Sequence, residues 1–159
     1  MPYRTVVLTI SDSRSRGEAR DLTGPALVEA LPLFDGLLTH REVIPDETET
    51  IRQSVRSWCP RADVILTTGG TGLAPRDVTP EAIEPLIDRP LPGFGEIMRT
   101  RAFDATPLSI ASRGGAGMSG TTLIVWLPGS IKAVRECIGW LAPAIRHVCQ
   151  LTRGEPAGH

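Results

Sequence analysis

Val64-Ile65-Leu66-Thr67-Thr68-Gly69-Gly70-Thr71-Gly72-Leu73-Ala74-Pro75-Arg76-Asp77-Val78-Thr79-Pro80-Glu81, residues 64–81, reads as a buried strand, a glycine-rich loop and the start of a helix. The apolar centre Val64-Ile65-Leu66 predicts a strand over Asp63–Thr68. Thr79-Pro80-Glu81 supplies a cap, a first-turn proline and an early carboxylate, so a short helix begins there. Glycines between the two allow positive φ and let backbone amides approach an anion, which the helix start further favours. Arg76 can pair with a phosphate, and Asp77 can hold a cation. The plainer reading of a Gly-Gly-x-Gly step is a tight surface turn in which Asp77 caps the helix. The loop is not a Walker A motif, because that motif needs a lysine and Lys132 is the only one in the chain. Nor does it follow G-x-G-x-x-G, which argues against nicotinamide binding.

Outward from this unit the chain alternates strands and helices. Tyr3–Ile10 is predicted as a strand followed by polar Ser11-Asp12-Ser13. Thr23 can cap a helix with Pro25 in its first turn, ending near Leu31. Leu37–Ile44 reads as a strand ended by Pro45, and Glu47–Trp58 as a helix with Ile51, Val55 and Trp58 on one face. Pro92–Phe103 is predicted helical, and Leu108–Ser112 and Thr122–Leu127 as strands. The last helix carries Val134, Ile138, Leu141, Ile145 and Val148, with a kink or break expected at Pro143. The expected fold is an α/β three-layer sandwich, a mostly parallel central sheet flanked by helices. It forms one domain over residues 1–153, with a disordered tail over 154–159. Functional loops then belong at the C-terminal ends of the strands, where Ser11-Asp12-Ser13, Asp46-Glu47 and Gly69–Asp77 all fall.

Composition bounds the function from the other side. A net charge of −1, from 17 basic and 18 acidic residues, leaves no electrostatic footprint for nucleic acid or an anionic membrane. Residues Met1–Ile10 lack a signal peptide's layout, and no apolar run approaches membrane-spanning length. Cys59, Cys137 and Cys149 show no metal-site spacing and read as reduced core residues, consistent with a cytoplasmic protein. His40 and His147 have no partner at ligand spacing and read as structural, and Trp58, Trp126 and Trp140 as core or subunit-contact residues.

The residue 67–81 string resembles the molybdopterin-binding family of molybdenum cofactor biosynthesis proteins. That family includes molybdopterin adenylyltransferases and the G domains of plant and animal cofactor enzymes, gephyrin among them. The likeness continues through Val7–Ser13, Asp21-Leu22-Thr23-Gly24-Pro25 and Val43-Ile44-Pro45-Asp46-Glu47. Pro92-Gly93-Phe94, Ser112-Arg113, Gly120–Ile124 and Leu127-Pro128-Gly129-Ser130 follow in the family's order, so it spans about residues 3–152. Two departures stand out: the doubled Gly114-Gly115, and Trp126 where many relatives carry Asn.

The resemblance implies transfer of AMP from ATP to the terminal phosphate of molybdopterin, with pyrophosphate released and Mg2+ as cofactor. It assigns Asp46 and Asp21 as catalytic carboxylates and metal ligands. Asp46 taken alone reads first as a helix cap, a role compatible with the other, and Asp21 equally as a helix-entry residue. Gly69, Gly70, Thr71, Gly72, Arg76, Asp77 and Ser112 are implied to bind molybdopterin. Ser11, Asp12, Ser13, Pro128 and Gly129 line the nucleotide side. Glu81 complements the helix dipole or joins the site. A homotrimer is implied, with the molybdate-insertion enzyme of the pathway as a partner. The alternative is a non-catalytic carrier or assembly protein of the same pathway.

Overall fold

The structure is a computed structural model that describes residues 1–158. Its strands are β1 (Tyr3–Ile10), β2 (Gly36–Ile44), β3 (Val64–Thr68), β4 (Arg89–Pro90), β5 (Gly115–Ser119) and β6 (Thr122–Leu127). Its helices are α1 (Asp12–Ser15), α2 (Thr23–Ala30), α3 (Thr48–Trp58), α4 (Thr79–Ile83), α5 (Pro92–Phe103) and α6 (Ile131–Arg153). The six strands form one sheet in the order β2-β1-β3-β6-β5-β4. β2, β1, β3 and β6 run parallel, while β5 lies antiparallel to both β6 and β4. This is the three-layer α/β arrangement expected from the alternation of elements.

Side chains alternate across each strand, and the two faces are covered separately. Val7, Leu66 and Val125 pack with Leu27, Phe34, Ile138 and Ile145 beneath α2 and α6. Val6, Leu8, Ile65 and Ile124 pack with Ile51, Val55 and Ile83 beneath α3 and α4. Sequential strands leave β1 in opposite directions, β2 on one side and β3 on the other. The loops after β1 and β3 therefore flank the crevice where the strand order reverses, the usual ligand position in such sheets.

One expectation is corrected, and of the kink or break expected at Pro143 the break is excluded. Leu108–Ser112 is not a strand: Pro107–Ala111 forms a 3-10 turn, with Leu108 83% and Ile110 68% exposed. Pro107 at its first turn favours a helical start, and side chains in solvent have no sheet to pack on. The sheet position goes to Gly115–Ser119, whose glycines masked its strand character. A Cβ on Gly115 would stand 2.9 Å from the Trp126 ring, so the missing side chain is what lets the indole lie against β5. At Pro143 the helix is not broken. α6 continues from its Ser130 cap to Gly154 in the left-handed region, φ 68°. Its buried face, Ile138, Leu141, Ile145 and Cys149, outweighs one lost backbone bond.

At the N-terminal edge of the sheet the chain ends are tied together. Asp63 accepts from the Arg4 amide at 2.8 Å and from the Arg4 and Arg153 guanidinium groups at 3.1 and 2.8 Å. Arg153 also donates to the carbonyls of Met1 and Pro2 and lies over the Tyr3 ring. The Tyr3 hydroxyl donates to Glu155 at 3.0 Å.

Candidate active site

The loop after β3 begins with two glycines that no other residue could replace without strain. Gly69 has φ 102°, and a Cβ there would stand 2.3 Å from the Ile10 carbonyl oxygen. Gly70 has φ 71°, with the Thr79 hydroxyl 2.3 Å and Asp46 Oδ1 3.2 Å from its would-be Cβ. Asp46 Oδ1 thus sits directly over the glycine backbone. The loop after β6 closes in from the other side, since a Cβ on Gly129 would meet Gly69 Cα at 3.2 Å.

The carbonyls of Gly69, Gly70, Thr71 and Gly72 are each occupied by the protein itself. Gly69 O accepts from the Thr79 hydroxyl at 2.8 Å and Gly70 O from the Thr79 amide at 3.1 Å. Thr71 O accepts from the Arg113 amide at 2.9 Å, and Gly72 O from the Arg113 guanidinium at 2.9 and 3.1 Å. The amide of Gly69 donates to Leu127 O. Those of Gly70, Thr71, Gly72 and Leu73 find no acceptor among the described residues. With carbonyls pinned to the protein and amides left over, the loop presents free donors of the kind an anion can take.

Carboxylates and one arginine stand beside it. Asp12 and Asp46 hold each other reciprocally: the Asp12 amide donates to Asp46 Oδ2 at 2.9 Å and the Asp46 amide to Asp12 Oδ1 at 3.0 Å. Arg76 reaches across from the β3 loop and forks onto both Asp12 oxygens at 2.9 and 3.1 Å. The loops after β1, β2 and β3 are thereby linked through Asp12. Burial pushes the Asp46 carboxyl above its ordinary range, and the nearby charges of Asp12 and Asp77 add to this against the bond from Asp12. Arg76, bonding to Asp12, holds that carboxyl below its ordinary range. Asp46 is not the cap of α3, whose N-cap is Glu47 without a side-chain bond. Asp77 does not cap α4 either; it accepts from the Ala74 amide at 3.0 Å and closes the loop over Gly72.

Asp21 is placed apart from this group. Its Oδ1 accepts from the Gly24 amide, and its Oδ2 from the Thr9 hydroxyl and Arg41. Thr9 shares a strand face with Val7, on the α2 side, whereas Asp46 leads into α3 on the other. Asp21 and Asp46 therefore approach the sheet edge from opposite layers, with both oxygens of Asp21 engaged. Among the described residues no cluster of three or more His, Cys, Asp or Glu side chains is arranged to hold a metal. The free Asp46 Oδ1 remains, and magnesium typically takes only one or two carboxylates plus phosphate oxygens.

Ser11 caps α1, its hydroxyl accepting from the Arg14 amide, with the Ser13 hydroxyl 3.3 Å away. Ser112 and Pro128 meet at a cavity of about 270 Å³ between α5 and the start of α6, which Ser130 and Lys132 also line. Sequence reasoning missed Lys132 as a lining residue, and it missed Thr79 and Arg113 as organisers of the loop. The spacing of Thr79 from Gly70 gave no sign of their bonds, since the loop folds back on itself. His40 stacks on Trp58 at 4.4 Å and lies outside the site.

A doubly wound sheet with a loop of unpaired amides and an unengaged carboxylate oxygen at its switch point suits a binding or transfer protein for a phosphorylated small molecule. The family described as probable molybdopterin binding domain matches residues 6–147, and the chain belongs to it. It is 41% identical over 152 residues to the molybdopterin adenylyltransferase of Helicobacter pylori strain J99, covering 93% of this chain and 86% of that protein. To gephyrin of Dictyostelium discoideum it is 42% identical, over 94% of this chain but only 22% of the longer protein. Among solved structures, the molybdopterin biosynthesis enzyme MoaB of Thermus thermophilus superposes with a TM-score of 0.90 at 44% identity, over 97% of this chain and 98% of that one.

Proposed function

We propose that this chain is a molybdopterin adenylyltransferase of molybdenum cofactor biosynthesis, transferring AMP from ATP to the terminal phosphate of molybdopterin. A phosphate oxygen of molybdopterin forms a bond to the α-phosphorus, and the bond to the β-phosphate bridging oxygen breaks as pyrophosphate leaves. The observation that carries this reading is the run of acceptor-free amides at Gly70–Leu73 with Asp46 Oδ1 over Gly70. Both reactants are anions, so the site must offset repulsion and fix an in-line approach.

The amides of Gly70, Thr71 and Gly72 receive the molybdopterin phosphate, and Gly69 supplies the close backbone approach. Arg76 exchanges Asp12 for substrate phosphate, and Asp77 keeps the loop closed. Ser112 contributes to the pterin side. Ser11, Asp12, Ser13, Pro128 and Gly129 line the nucleotide side. Asp46 and, once phosphate oxygens arrive, its neighbour Asp12 would hold Mg2+, which supplies charge neutralisation at the transferring group. Asp21, with both oxygens engaged, positions the β1 end and the α2 entry. The protein works in the cytoplasm as a homotrimer and hands its product to the molybdate-insertion enzyme. No helix among the described residues is long and apolar enough to cross a membrane.

Purified protein mixed anaerobically with molybdopterin, ATP and Mg2+ should yield adenylylated molybdopterin and pyrophosphate in equal amounts. Tight molybdopterin binding without product in any metal would replace the enzyme by a carrier.

A further inference from the structure

Arg113 stands outside the carboxylate group, yet more of the loop's polar contacts pass through it than through any residue of the loop itself. Its amide donates to Thr71 O at 2.9 Å. Its Nε and Nη2 both donate to Gly72 O, at 3.1 and 2.9 Å, and Nη2 also reaches Asp77 O at 2.9 Å. Nη1 pairs with the Glu81 carboxylate on α4. Its own carbonyl accepts from Trp126 Nε1 at 3.0 Å, which fixes the backbone of Arg113 to β6. The loop runs out at Thr71-Gly72 and returns at Asp77, so one planar guanidinium clips both ends together.

We infer that Arg113 is a positioning residue for the transfer reaction, setting the width of the amide cradle at Gly70–Leu73. This rests on the reading of that loop as the molybdopterin phosphate site. Each peptide unit carries its N–H opposite its C=O, so fixing the carbonyls of Thr71 and Gly72 toward Arg113 fixes the amides of Gly72 and Leu73 away from it. The fork geometry is the essential part. Lysine keeps the charge but offers a rotatable point donor, and it cannot hold Gly72 O, Asp77 O and Glu81 in one plane. Glu81 supplies the outer anchor: it sits in the first turn of α4 and orients the guanidinium from the side away from the loop. Trp126 joins the same unit through its indole N–H, giving a polar use to a ring that is otherwise packed in the core.

The test is an amide NMR titration of 15N-labelled protein with molybdopterin, for the native chain, Arg113→Lys and Glu81→Gln. Steady-state KM for molybdopterin and for ATP is measured on the same preparations. In the native protein the Gly70–Leu73 resonances should shift on titration. Arg113→Lys should raise KM for molybdopterin about tenfold, since small misplacements of binding groups are costly, and leave KM for ATP within about twofold. Glu81→Gln, which keeps every carbonyl bond, should give a smaller rise in the same direction and serves if the lysine variant does not fold. Shifts in the native protein with an unchanged molybdopterin KM in both variants would overturn the role of Arg113 alone. A loss of activity that only tracks a loss of folded protein, with both KM values unchanged, would overturn it too. No shift at Gly70–Leu73 in the native protein would overturn the cradle itself and Arg113's role with it.

Discussion

The two edges of the sheet use the same residue types to opposite effect. At the N-terminal edge Asp63 takes donors from Arg4 and Arg153, and Arg153 goes on to the carbonyls of Met1 and Pro2. Each group there has found its partner inside the protein. At the C-terminal edge Asp46 keeps Oδ1 free, the Gly70–Leu73 amides have no acceptor among the described residues, and Arg76 is held by a single, exposed ion pair. An edge whose polar groups are all satisfied closes a fold, while one with leftover donors and acceptors is poised for a ligand. The difference also shows in the carboxyl groups. Burial alone would raise the Asp63 pKa, but bonds from Arg4 and Arg153 outweigh it and hold the group below its ordinary range. Asp46 is half-buried with other acids near and is shifted the other way.

The largest expected effect falls on the edge with unpaired groups. Gly69→Ala forces a side chain against the Ile10 carbonyl at positive φ and should cost about 1–3 kcal/mol in urea unfolding. Its transfer rate should fall by more than about 100-fold, because the cradle shifts with it. Asp63→Asn acts on the other edge. It should cost about 1–3 kcal/mol of stability by leaving two arginines short of an acceptor, with unchanged turnover per folded molecule. Arg76→Ala should leave unfolding within about 0.5 kcal/mol, since its ion pair with Asp12 is exposed. It should raise KM for molybdopterin a few-fold.

The pH dependence sharpens the same contrast. Asp63 has a lowered folded pKa, so its stabilisation is present above its unfolded value, about 3.9, and is lost as pH falls through the folded one. Asp46 has a raised folded pKa, so its ionised form costs stability above that pKa and its protonation on acidification favours the fold. Activity that needs ionised Asp46 should therefore fall at a higher pH than the one at which the Asp63 clamp fails. Rate profiles and urea titrations over the same pH series check the order, and coincident loss of both would contradict it.

Much of this was legible from the chain. The alternation of apolar runs with capped helical stretches placed β1, β2, β3, β6 and the main helices, and glycines after a strand marked the loop. The strand at Gly115–Ser119 was hidden because glycine and alanine have little strand preference of their own, and its place depends on the Trp126 ring across the sheet. Leu108–Ser112 misled for the converse reason, an apolar run in which Leu108 and Ile110 stay in solvent. In the site, Asp46, Asp12, Arg76 and the glycines lay in recognisable strings. The reciprocal bonding of Asp12 with Asp46 joins residues from different loops, and nothing local in the sequence encodes it. The same holds for the path from Arg113 to Gly72, which depends on how β3 and β6 bring separate loops together.

The most direct test follows α-labelled ATP in a single turnover with molybdopterin and Mg2+, native chain beside Asp46→Asn. Label should appear on molybdopterin in the native reaction, with a loss of about 100-fold or more in the variant and molybdopterin binding retained. Equal transfer by the two proteins would contradict it, because Asp46 Oδ1 would then have no part in the chemistry at the open edge of the sheet.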